Sequence, residues 1–122
     1  MQYGQFVKEV AERAELDREA AATAIEATLV TLAQRLTPEE AQDMIAQLPD
    51  ELKVRVRPPL AASPMGVGEF IERVAEAEGV GDAAIAREHA RAVLLTLQVA
   101  LSAGEANDVL DQLPAEYEPL LT

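Results

Sequence analysis

Two pairs of carboxylates open the reading of this chain. Glu40 with Asp43, and Glu105 with Asp108, each place two acids three residues apart, a spacing that puts both on one face of a helix. Such pairs can serve acid/base chemistry, or supply oxygen ligands to a metal if a fold brings both pairs together. Each pair also follows a helix-start signal. In Thr37-Pro38-Glu39-Glu40 the threonine caps, the proline suits the first helical position, and the glutamate three residues on reaches back to the cap amide. Ser102-Ala103-Gly104-Glu105 repeats the device. Capping near a positive helix end accounts for these acids without a ligand, so the sequence assigns no catalytic residue, no metal ligand and no cofactor.

The remaining chemistry is sparse. His89 is the single histidine and there is no cysteine, which excludes thiolate catalysis, disulfides and cysteine-ligated metals. Helical spacing puts His89 on the flank of an apolar face, one turn from Ile85 and Val93, as a boundary histidine with one nitrogen wet. A di-iron bundle needs two histidines, each three residues after a glutamate; position 86 is alanine. The calcium loop, phosphate loop and dinucleotide fingerprint are missing, and Gly79-Val80-Gly81-Asp82 reads as an interhelical loop. The expectation is a protein that is not an enzyme.

Charge narrows the partners. Twenty-two acidic against ten basic side chains give a net charge of −12, which predicts repulsion from nucleic acid and from anionic membrane surfaces. The longest near-apolar stretch, Ala92 to Leu101, is about half of what a bilayer requires. Met1-Gln2-Tyr3-Gly4-Gln5-Phe6 lacks the basic start and apolar core of a signal peptide. These features predict a cytoplasmic protein, monomeric or homodimeric.

The elements that position these residues are helical. Apolar residues make up 49% of the chain but aromatics only 3%; an alanine- and leucine-rich balance favours helices over strands. An internal repeat then sets the architecture. Gly4-Gln5-Phe6-Val7 and Val10-Ala11-Glu12 return 64 positions on as Gly68-Glu69-Phe70-Ile71 and Val74-Ala75-Glu76. Leu29, Thr31, Leu32 and Leu36 return 65 on as Leu94, Thr96, Leu97 and Leu101, as do Gln47-Leu48-Pro49-x-Glu51 in Gln112-Leu113-Pro114-x-Glu116. The extra residue falls in the Gly79–Asp82 loop. The predicted fold is all-α: two tandem repeats, 1–57 and 67–122, joined by a proline-rich linker 58–66, with about eight helical segments packed as one domain.

Within that frame Asp17 caps a long helix carrying Ala21, Ile25, Thr28, Leu29, Leu32 and Leu36 on one stripe. Its counterpart, Ala83–Leu101, is apolar nearly all round except for Arg87, Arg91 and Gln98, which predicts a central helix with Leu95 and Val99 buried. Lys53, Arg55 and Arg57 form a basic strip in a first half of charge −4 facing a second half of charge −8. The strip is either an intramolecular dock on the second half or a binding patch. Tyr117, Leu120 and Leu121 supply a dimer surface or fold back on the first half.

Phe6-Val7-x-x-Val10-Ala11, Leu29-x-x-Leu32-x-x-x-Leu36, Gln47-Leu48-Pro49, Phe70-Ile71-x-Arg73-Val74-Ala75 and the run from Asp108 through Gln112-Leu113-Pro114 to Leu121 resemble the bacterial family known as domain of unknown function 2267, over essentially the whole chain. The resemblance implies an all-helical fold of two similar halves in a small bacterial cytosolic protein. It supplies no activity and no catalytic residue.

For function, the expectation is a non-catalytic interaction or regulatory protein. In its repeated Gln-Leu-Pro-x-Glu motif the leucine and proline define a turn, while Gln47, Glu51, Gln112 and Glu116 are candidate partner contacts. The alternative is a carrier of a small apolar ligand held between the repeats by Leu29, Leu32, Met44, Leu94 and Leu97.

Overall fold

The computed structural model describes residues 1–122. It contains seven α-helices and one 3₁₀ helix, with no strand: α1 (Tyr3–Ala14), α2 (Arg18–Arg35), α3 (Pro38–Ala46), α4 (Asp50–Lys53), α5 (Val67–Glu78), α6 (Ala83–Ala100), α7 (Ala103–Asp111) and the 3₁₀ helix Ala115–Leu120. The order of lengths recurs. α1 and α5 have 12 residues, α2 and α6 have 18, α3 and α7 have 9, and each set ends in a short turn of helix. No helix is long and apolar enough to cross a membrane.

Caps explain the boundaries. Asp17 accepts from the Ala20 amide at 2.8 Å, Thr37 from Glu40 and Ser102 from Glu105, both at 3.3 Å; each satisfies a donor that the first turn leaves without an intrahelical partner. The inserted residue lies where the glycines make room for it: three residues separate α1 from α2 and four separate α5 from α6. Gly79 ends α5 in the left-handed region at φ 74°, while Glu15 ends α1 there at φ 55°.

One core of 32 buried apolar residues runs through both halves. α2 packs on α1, α3, α5 and α6, and α6 on α1, α2, α5, α7 and the 3₁₀ helix. Buried Ala21, Ala24 and Ala27 on α2, with Ala86, Ala90 and Ala92 on α6, keep the side-chain layer between the helices thin. The expected burial of α6 on every side needs correcting. Val99 is 61% exposed and Leu95 only half-buried. The strip expected to be wet is exposed at Arg87 and Arg91, and the last residues also dock along it, with Arg91 donating to the Thr122 carbonyl (2.9 Å) and Gln98 to that of Leu121 (3.0 Å). That docking partly covers the Arg91–Leu95–Gln98 line and leaves the Val99 side bare.

Two further expectations change. The basic strip does not dock on the second half: Lys53 pairs with Asp50 (3.5 Å) and Arg55 with Glu26 (3.8 Å), both in the first. Tyr117 and Leu120 are buried, but on their own half. The Tyr117 ring meets Phe70 edge-on at 5.4 Å, and its hydroxyl donates to the Met65 carbonyl at 2.8 Å. Arg35 Nε donates to the same carbonyl at 3.0 Å, and Ser63 N to the Gln34 carbonyl at 2.8 Å, so the linker is tied to the end of α2.

An L-residue in the left-handed region costs roughly 1–2 kcal/mol that glycine avoids, less glycine's own greater chain entropy. Glu15→Gly is therefore expected to stabilise the fold by about 0.5–1 kcal/mol and Gly79→Ala to destabilise it by about 1 kcal/mol, measured by urea denaturation.

Candidate carboxylate site at the α3–α7 joint

The site begins with two cap amides. A glutamate three residues into a helix ordinarily turns back to the cap N–H. Here both amides are taken by the opposite half. Thr37 N donates to Gln112 Oε1 at 3.0 Å, and Gln112 Nε2 donates to Thr37 Oγ1 at 3.1 Å. Ser102 N donates to Gln47 Oε1 at 2.8 Å, and Gln47 Nε2 donates to Ser102 Oγ at 3.1 Å. Gln47 and Gln112, expected as partner contacts, thus spend their amides inside the chain, clasping each half to the other's helix start.

The displaced glutamates meet at the contact of α3 with α7. Oxygens of Glu40, Asp43 and Glu105 lie within 4.8 Å of one another. Glu105 is only 8% exposed, Glu40 is half-buried, and Asp43 and Asp108 are open to solvent. Oε2 of Glu105 and Oε2 of Glu40 are buried with no hydrogen-bond partner. None of the ion pairs in the protein involves these four acids. The fold brings Glu40 and Asp43 of one acid pair to Glu105 of the other, with Asp108 outside the cluster. The signal for it in the sequence is the doubled glutamine, which competes for the cap amides.

Burial is the main force raising the Glu105 pKa, to about 8; a hydrogen bond to Glu40 adds to it, and the charges of Glu40, Asp43 and Asp108 follow. Protonation supplies the missing donor, since neutral Glu105 can donate to Glu40.

The other two motif residues differ from each other. Glu116 Oε1 accepts from the Val67 amide at 3.2 Å, covering the start of α5. It lies so close to Gly66 that a Cβ there would meet it at 2.8 Å. Glu51 is exposed and makes no hydrogen bond or ion pair. Leu29, Leu32, Met44, Leu94 and Leu97 are all core residues, and none of them lines any of the four surface recesses. His89 lies in the largely buried setting expected, with one addition: its Nδ1 is 2.7 Å from Oε2 of Glu78, whose side chain is almost wholly enclosed. The two border a cleft of about 300 Å³ with Asp17, Glu19 and Thr23.

Glu105 keeps its proton in the folded state up to about pH 8, whereas the unfolded chain releases it near the ordinary carboxylate pKa of about 4.3. The folded state binds more protons across that window, so this group's contribution to stability is complete below it and declines as pH rises towards 8. Urea denaturation at pH 5 and pH 9 should show this decline. Glu105→Gln, which fixes the neutral form, should flatten it and make the protein more stable than wild type at pH 9.

Comparison with curated proteins found no match. A family profile described as "Uncharacterized conserved protein (DUF2267)" matches residues 3–120, so that every helix, the linker and the joint lie inside the matched region. The chain belongs to the DUF2267 family of uncharacterized conserved proteins.

Proposed function

We propose that this protein is a small non-catalytic regulatory module of the bacterial cytoplasm, working through the joint between its two halves. The observation that carries the reading is the contact of Glu105 with Glu40, two carboxyl groups pressed together between two helices with no basic side chain paired to either. Burying two carboxyl groups against each other without a basic partner is costly, and a fold retains such a contact more readily where opening it has a use. The surroundings support this. Across the joint run four polar hydrogen bonds from two glutamines, and α3 and α7 place only Ala41, Met44, Ala106 and Val109 in the apolar core that α1, α2, α5 and α6 largely fill. The joint therefore has a cheaper route to opening than the core does, and its opening would present α3, α7 and free Glu51 to a protein partner. The non-catalytic reading rests on the lack of any nucleophile set beside a base. A cytoplasmic location is favoured by the cysteine-free, acidic composition.

Amide hydrogen exchange tests the joint directly. Amides of α3 and α7 should exchange together, well ahead of those of α2 and α6. Gln47→Ala and Gln112→Ala should each accelerate both helices and cost roughly 0.5–1.5 kcal/mol, the worth of a hydrogen-bonded cap. Protection of α3 and α7 at the level of global unfolding would remove the proposal.

A further inference from the structure

Resting on the joint reading, we infer that Glu40, Asp43 and Glu105 form a site for a hard divalent cation of calcium's size, bound between the two halves. Three features of the geometry lead there. The three oxygens fall within 4.8 Å of one another, so that a small closing movement brings all of them to calcium's ligand distance of about 2.4 Å from one ion. Magnesium, at about 2.1 Å, would need them drawn closer. The donor set is oxygen alone, with no imidazole or thiolate, which disfavours zinc and copper and suits calcium or manganese.

The second feature is a group that lacks what a cation supplies. Glu105 is more than nine-tenths buried, yet apart from the contact of the two carboxyls with each other neither its Oε2 nor that of Glu40 meets any donor of the chain. The rest of the chain spends its buried polar atoms economically: apart from these two oxygens, only Thr28 Oγ1 and Glu78 Oε1 lack a partner. The third feature is charge. Asp108 adds its negative field at Glu105, and no lysine, arginine or histidine pairs with any of the four acids. Exposed Asp43 leaves the site open on one side, where water completes the coordination. Because Glu40 and Asp43 stand on α3 and Glu105 on α7, a bound ion ties one half to the other across the carboxyl contact.

The test is calorimetric titration of the full chain, freed of metal by chelator, with CaCl₂, MnCl₂ and MgCl₂ in turn, alongside thermal melting and amide exchange. One calcium should bind per chain, raise Tm and slow exchange in α3 and α7, with manganese similar and magnesium weaker. Glu105→Gln and Asp43→Asn should each weaken calcium binding by at least about tenfold, while Glu88→Gln, an exposed acid on α6, should leave it unchanged. Glu105→Gln keeps the shape and the neutral, hydrogen-bonding form of the side chain, so it retains the fold and its loss of binding is interpretable. No binding up to roughly 10 mM CaCl₂, ten times the dissociation constant of the weakest calcium modules, overturns the inference. So does multi-site binding that Glu105→Gln leaves intact, which would mark a diffuse acidic surface. The two readings fail separately. Fast joint exchange without calcium binding removes the cation alone, whereas calcium binding to a joint as protected as the core removes the joint reading alone.

Discussion

The structure around the joint depends on which acceptor takes the amide of a helix cap. Every helix start has donors that its own backbone cannot satisfy. A threonine or serine cap followed by a glutamate is a local solution, complete within four residues. In this protein the glutamine of the opposite half reaches the amide first, and also donates to the cap hydroxyl. The helix start is satisfied either way. The difference lies in what happens to the glutamate, which loses its local acceptor role and is left facing its counterpart from the other half. The close carboxylates and the raised pKa of Glu105 follow from that exchange of partners.

The exchange needs a rigid frame behind it. α2 and α6 supply one through alanines at the contact, which let long helices approach closely and leave little room for void. The buried threonines fit the same logic: Thr31 and Thr96 donate to the carbonyls four residues back, at 2.8 and 2.9 Å, and so bring no unmet hydroxyl into the core. With α3 and α7 anchored by Ala41, Met44, Ala106 and Val109, the glutamines arrive at a fixed distance from the caps. A soft core would let the carboxylates drift apart into water.

Much of this was legible in the chain. Asp17, Thr37 and Ser102 mark helix starts because capping is a local interaction, and the repeat offset places the inserted residue because loop length is counted along the sequence. Other features depend on which residues meet in space. Nothing near Gln47 in sequence points to Ser102, 55 positions away, so the glutamines read as surface contacts. Val99 reads as buried because periodicity records the apolar character of a face and not whether anything covers it. Arg91 and Gln98 read as a polar strip, and so they are, but their hydrogen bonds to the last residues depend on the fold. The carboxylate site falls between these cases: both acid pairs are visible, while their meeting requires the fold.

The two copies of the Gln-Leu-Pro-x-Glu turn have unequal fates, and the cause is one missing atom. Glu116 reaches the start of α5 because Gly66 has no Cβ to obstruct it. The corresponding position before α1 is Gln2, which carries the Cβ that Gly66 lacks, and Glu51 makes no such contact. A doubled gene would be expected to yield a particle with two interchangeable ends, offering any visitor two equal seats. Here one end is latched and the other is not, so the molecule has a front and a back. Whatever grips the unlatched carboxylate at position 51 can arrive in one orientation and once per chain.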